Sequence, residues 1–150
     1  MKKIALLVLV MAVAVAGLTF AQARPDFSGK WAPNEAAAPA GGGGRGGGMA
    51  GPVTIKQSAS ELTQERTVGD NTMTTVYKLD GTESVNKTQR GESRSTAKFD
   101  GGKLVIKTTM EGPNGTTETT ATWSLSADGR GLTIVSASAR GERTMVYTKQ

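Results

Sequence analysis

Beyond residue 52 the chain is punctuated, at nearly even intervals, by short glycine-containing signals that reverse a polypeptide. They are Gly69-Asp70-Asn71, Asp80-Gly81, Arg90-Gly91, Asp100-Gly101, Asn114-Gly115, Asp128-Gly129 and Arg140-Gly141. Asp-Gly and Asn-Gly suit tight hairpins, because such turns need positive φ and glycine reaches it without a Cβ clash. The intervening segments are rich in threonine, valine and other β-formers. Turn signals about every 8–12 residues mark an all-β sandwich or barrel rather than a βαβ fold.

The apolar pattern agrees. Leu104, Ile106 and Met110 share one face, with Lys103 and Lys107 on the other. Ala121, Trp123 and Leu125 oppose Thr120, Thr122 and Ser124, and Leu132 and Ile134 flank Thr133. Met73, Thr75, Tyr77 and Leu79 keep the same step, as do Arg143, Met145 and Tyr147. A period of two gives each strand one buried and one wet face. No segment sustains an apolar period of 3.6, so no substantial helix is expected in the domain.

Counting Phe27–Ala32 as a first strand gives about ten strands of ordinary length. Short connections pair consecutive strands antiparallel, as a meander. An open meander leaves two bare edges, and closing the sheet on itself removes them, so a small barrel, closed or strongly curled into a half-barrel, is expected. The expected inward set includes Ile55, Leu62, Met73, Tyr77, Phe99, Leu104, Ile106, Met110, Trp123, Leu132, Ile134, Met145 and Tyr147. The same faces carry Gln64, Arg66, Thr75, Ser95, Ala97, Thr108 and Ser136. These smaller and polar residues line a wet or ligand-filled interior if the sheet closes, and face solvent if it does not.

Residues 1–23 have the three parts of a secretory signal peptide. Lys2 and Lys3 precede an apolar run from Ile4 to Ala16, and Ala21-Gln22-Ala23 supplies small residues for cleavage. A signal-peptide helix, removal after Ala23 and export to the periplasm or exterior are expected, leaving residues 24–150 as one domain. The apolar run is shorter than the roughly 20 residues of a membrane span, and no other span is expected. Residues 35–51 are mostly alanine, proline and glycine around Arg45, with almost nothing to bury, and read as a mobile loop. The net charge of +5 is scattered over strands and turns, which describes a solvated surface and argues against a nucleic-acid partner.

The chain has no cysteine and no histidine. That removes disulfides, the usual zinc ligands and the commonest general base. No serine or threonine sits in a motif that pairs a nucleophile with a base. Asp80, Asp100 and Asp128 each stand alone in a turn, where they serve turn chemistry rather than a calcium loop. No catalytic residue, metal or cofactor is expected, and the protein reads as a non-enzyme.

Phe27-Ser28-Gly29-Lys30-Trp31 resembles the Gly-x-Trp start of the first strand in lipocalins and fatty-acid-binding proteins. A long connection follows at Pro33 to Pro52, then a meander ending in an aromatic near the C-terminus. That layout resembles the fatty-acid-binding proteins, and also small exported lipocalin-like proteins. The resemblance implies a calycin barrel holding a small molecule. There are departures. The glycine-rich connection cannot form the two helices that lid the cavity in fatty-acid-binding proteins. Met145 stands where those proteins place a carboxylate-gripping arginine, and Arg143 lies one step back on the same face. In lipocalins a late arginine packs over the first tryptophan, a role open here to Arg143 or Arg140.

Two functions follow. The first is an exported binding module for an apolar or amphiphilic molecule, with walls from Trp31, Tyr77, Trp123 and Tyr147 and with Arg66 or Arg143 meeting a polar head. The second is a structural or interaction protein of the envelope or exterior, whose barrel is filled by its own side chains.

Overall fold

The computed structural model describes residues 24–37, 51–88 and 91–150. The strands are β1 (Gly29–Pro33), β2 (Val53–Gln57), β3 (Glu61–Val68), β4 (Asn71–Lys78) and β5 (Glu83–Thr88), followed by β6 (Gly91–Asp100), β7 (Lys103–Gly112), β8 (Gly115–Leu125), β9 (Gly131–Ser138) and β10 (Gly141–Lys149). All ten lie in one antiparallel sheet ordered β4-β3-β2-β1-β10-β9-β8-β7-β6-β5. Each strand pairs with its neighbour in the chain except across one seam, between β4 and β5. Pairing of β1 with β10 brings the two halves of the meander together. The result is a nearly closed barrel, as the turn spacing predicts.

Six of the seven turn signals fall at strand junctions, and Gly91 of the seventh opens β6. Asp80 acts locally: its carboxylate accepts from the Thr82 amide at 2.9 Å and the Thr82 hydroxyl at 2.6 Å. Asp128 does the same for the Arg130 amide and the Ser126 hydroxyl. Both carboxyls are held below the ordinary aspartate value by those bonds. Gly91 shows why a junction excludes other residues. Its φ is +132°, and a Cβ there would lie 2.7 Å from the Glu111 carbonyl oxygen. The β2–β3 junction has no glycine. There Ser58 makes the turn, its hydroxyl accepting from the Glu61 amide at 3.0 Å.

The expected leader lies outside the described residues, as do residues 38–50 of the expected loop. The loop's near end departs from expectation. Glu35–Ala37 wind one 3-10 turn, anchored by the Asn34 side-chain oxygen, which accepts from the Ala37 amide at 3.2 Å.

One end of the barrel is packed solid. Phe27, Trp31, Leu62, Leu79, Leu104, Trp123, Leu132 and Tyr147 belong to a single buried cluster there. The expected first strand starts two residues late, at Gly29, because Phe27 turns beneath the barrel as a plug. Gln57 holds that segment: its side-chain oxygen accepts from the Phe27 amide at 3.0 Å and its amide nitrogen donates to the Pro25 carbonyl at 2.9 Å. The Phe27 ring meets Trp123 edge-on at 5.9 Å, and Arg24 lies over Phe99. The cation over Trp31 is Lys149, at 5.4 Å, and not Arg143 or Arg140. Antiparallel pairing sets Trp31 opposite Lys149, near the far end of β10 from Arg143. Met73 also corrects the sequence reading. It is 38 % exposed, because it lies on a seam strand close to the rim of the β3–β4 hairpin, where nothing covers it.

Candidate functional site

Inward positions follow from the register. One level aligns Phe99, Leu104, Trp123, Ile134 and Met145 across β6 to β10. The level above aligns Ala97, Ile106, Ala121, Ser136 and Arg143. Below Trp123 the inward Leu132 and Tyr147 are buried and Leu125 is partly buried against them. From that level upward, Arg66, Thr75, Thr108, Met110, Ala121, Ser136, Arg143 and Met145 all keep partial exposure although their faces point inward. The inward residues of β5 and β6 at these heights, Ser84, Asn86, Ser93, Ser95 and Ala97, are buried, so the upper half keeps its partial exposure along β7 to β10 and beside β3 and β4.

Trp123 and Tyr147 form the boundary, with Tyr77 beside them. Trp123 is 3 % exposed and meets Phe27 from below and Tyr77 from the side, the Tyr77 ring lying 6.3 Å away. Arg66 on β3 donates to the Tyr147 hydroxyl at 3.3 Å. Two strands, β2 and β1, separate β3 from β10 in the sheet. The bond is thus a chord across the interior and not a contact along the wall. The Tyr147 hydroxyl also lies 3.7 Å from the Met145 sulfur.

Among the described residues, the charge at inward strand positions is one-sided. Glu61, Glu65, Glu83, Glu92, Asp100, Glu111, Glu118 and Glu142 all occupy outward positions of their strands, while Arg66 and Arg143 occupy inward ones. A guanidinium that faces the interior can meet an anionic group there. The outward acids instead make exposed ion pairs, such as Lys56–Glu65 at 3.0 Å and Arg94–Glu83 at 2.9 Å, worth about 0–1 kcal/mol each.

Of the six residues marked by sequence, Arg66, Tyr77, Trp123 and Tyr147 converge on the boundary. Arg143 stands higher on the β10 wall, opposite Ser136. Trp31 does not join them. It has no exposed surface, lies under Lys149, and donates its indole N–H to the Phe27 carbonyl at 2.9 Å. Phe27 itself was invisible as a functional position, since nothing local distinguishes a plug from a strand residue.

Burial pushes the Tyr77 hydroxyl up to about 12 from its ordinary 10.0, with the Arg66 charge pulling weakly the other way. The folded state therefore holds this proton more tightly than the unfolded chain. Its contribution to stability is complete below pH 10 and is lost as the pH rises from 10 toward 12. In urea titrations, Tyr77→Phe is expected to flatten the alkaline decline relative to wild type. Phenolate absorbance is expected to show one tyrosine titrating near 12.

This fold is shared with solved structures of proteins named for fatty acid transport and lipid binding. Three solved structures make the likeness concrete, each at a TM-score of 0.62. They are the REP1-NXSQ fatty acid transporter (13 % identity over 82 % of this chain and 95 % of that one), a mutant of the fluorescent protein UnaG (20 %, 83 % and 96 %), and apo lipid binding protein 8 of Caenorhabditis elegans (12 %, 83 % and 95 %). No protein-family model matches the chain, and no curated protein matches it in sequence.

Proposed function

We propose that this protein is an exported, non-catalytic binding module that holds an apolar or amphiphilic small molecule in the upper half of its barrel. The observation that carries this reading is the partial exposure of inward side chains above Trp123. A self-filled barrel would bury them. Trp123, Tyr77 and Tyr147 form the floor, and Arg66 and Arg143 meet the polar head. Trp31 is left to the core. Two proteins of the same fold are named a fatty acid transporter and a lipid binding protein, which supports the reading by analogy of fold. Export rests on the leader pattern of residues 1–23.

A long-chain fatty acid titrated into the purified protein is expected to change tryptophan emission and saturate at one equivalent, with Trp123 as the reporter. Arg66→Met is expected to weaken that acid about tenfold or more, since a hydrogen bond to a charged group contributes about 1.5–3 kcal/mol. The largely packed lower half favours the second reading, a barrel with a purely structural role. Unchanged emission, together with an empty protein in native mass spectrometry, would establish that alternative.

A further inference from the structure

The register reveals a feature that no single strand shows. Ser84 pairs with Ser95, Ser95 with Thr108, Thr108 with Thr119, and Thr119 with Ser138. Five successive strands, β5 to β9, thus place a hydroxyl at the same level of the same face. None of the five residues is exposed, and Ser84 and Ser95 are buried. At about 4.8 Å per strand the row spans roughly 19 Å of arc. It lies one level above Ala97, Ile106, Ala121 and Ser136, within the upper half.

The two ends of the row are committed to the fold. Ser84 accepts from the Lys78 amide at 2.7 Å, and Ser138 accepts from the Arg140 amide at 3.3 Å. The centre is not. Ser95 and Thr108 share one hydrogen bond of 2.9 Å, which leaves one donor and further lone pairs between them. The Thr119 hydroxyl has no protein partner among the described residues and is half-buried. A simple hydrocarbon chain passing this level would strip water from those hydroxyls and replace it with nothing, a cost that polar groups on the ligand remove.

We propose that Ser95, Thr108 and Thr119 form a recognition belt that selects amphiphiles carrying a hydroxyl or similar hydrogen-bonding group on the body of the molecule, beyond the acidic head. This rests on the reading that the upper interior holds a ligand. Specificity against the analogue lacking the hydroxyl follows, because a site built to hydrogen-bond rejects a molecule that leaves its polar groups unpaired.

The test compares stearate with a series of hydroxystearates, the hydroxyl moved along the chain, by calorimetry on the full protein. At least one isomer is expected to bind ten times more tightly than stearate. Thr119→Val is expected to reduce that preference to less than threefold while leaving stearate affinity within threefold. Replacing Ser95 by alanine and Thr108 by valine together, so that neither hydroxyl loses its partner alone, is expected to act in the same direction. Thr120→Val, one residue along on the outer face, is expected to change nothing. If stearate binds and every hydroxystearate merely equals it, the belt proposal is overturned while the binding reading stands. If no member of the series binds, the binding reading itself fails.

Discussion

Phe27→Ala is expected to remove about 3–5 kcal/mol of stability, the range for emptying a fully buried aromatic site. The ring is completely buried, stacks edge-on against Trp123, and sits among Trp31, Leu62, Leu104 and Leu132. Its backbone is pinned by Gln57, so the segment cannot readily swing another side chain into the gap. Against a typical domain stability of about 5–15 kcal/mol, that is a large fraction. Urea denaturation should show a much lower midpoint with an unchanged slope. Phe27→Leu should lose less, because part of the volume is kept. A loss under about 1 kcal/mol for the alanine variant would mean that the plug is peripheral to the core.

Asn86→Leu should act at the opposite side of the barrel and by another mechanism. No backbone ladder joins β4 to β5, and side chains of β5 take its place. The Asn86 amide oxygen accepts from the Val76 N–H at 2.9 Å while its nitrogen donates to the Val76 carbonyl at 2.9 Å. One asparagine thus imitates a strand partner. Ser84 repeats half of this at the Lys78 amide. Leucine has nearly the same shape and can form neither bond, so both Val76 groups would be left unsatisfied at about 1–3 kcal/mol each. The total loss should be about 2–6 kcal/mol on that basis. Amide hydrogen exchange separates this from general damage. Val76 and Lys78 should lose protection first, while β8 and β9 keep theirs. Uniform loss of protection over all strands would show that the seam is not the weak line of the barrel.

Both variants touch features with no local signature. An asparagine inside a run such as Glu83-Ser84-Val85-Asn86-Lys87 reads as a neutral strand residue. Its importance comes from β4 lying across its inner face. Phe27 reads as the start of a strand because aromatic residues favour strands, and only the position of Gln57 reveals that it turns under the barrel. The cation over Trp31 followed the same rule. The lipocalin resemblance pointed to Arg143 or Arg140, but the short pairing of β1 with the end of β10 delivers Lys149.

Local chemistry carried much of the rest. The turn pairs depend on what glycine, asparagine and aspartate do within four residues, and those signals landed on junctions. Alternation separated inner from outer faces nearly everywhere, and it placed Arg66 inside, where it meets Tyr147. It erred at Met73, whose parity is right but whose height on the barrel leaves it uncovered.

Sequence by itself thus determined the elements, the antiparallel order and the face each side chain takes, because these are set by contacts within a turn or along a strand. Tertiary structure alone decided which end is plugged, how the seam is bridged and which hydroxyls share a level. Those depend on curvature and register accumulated over ten strands, and no window of neighbouring residues contains them.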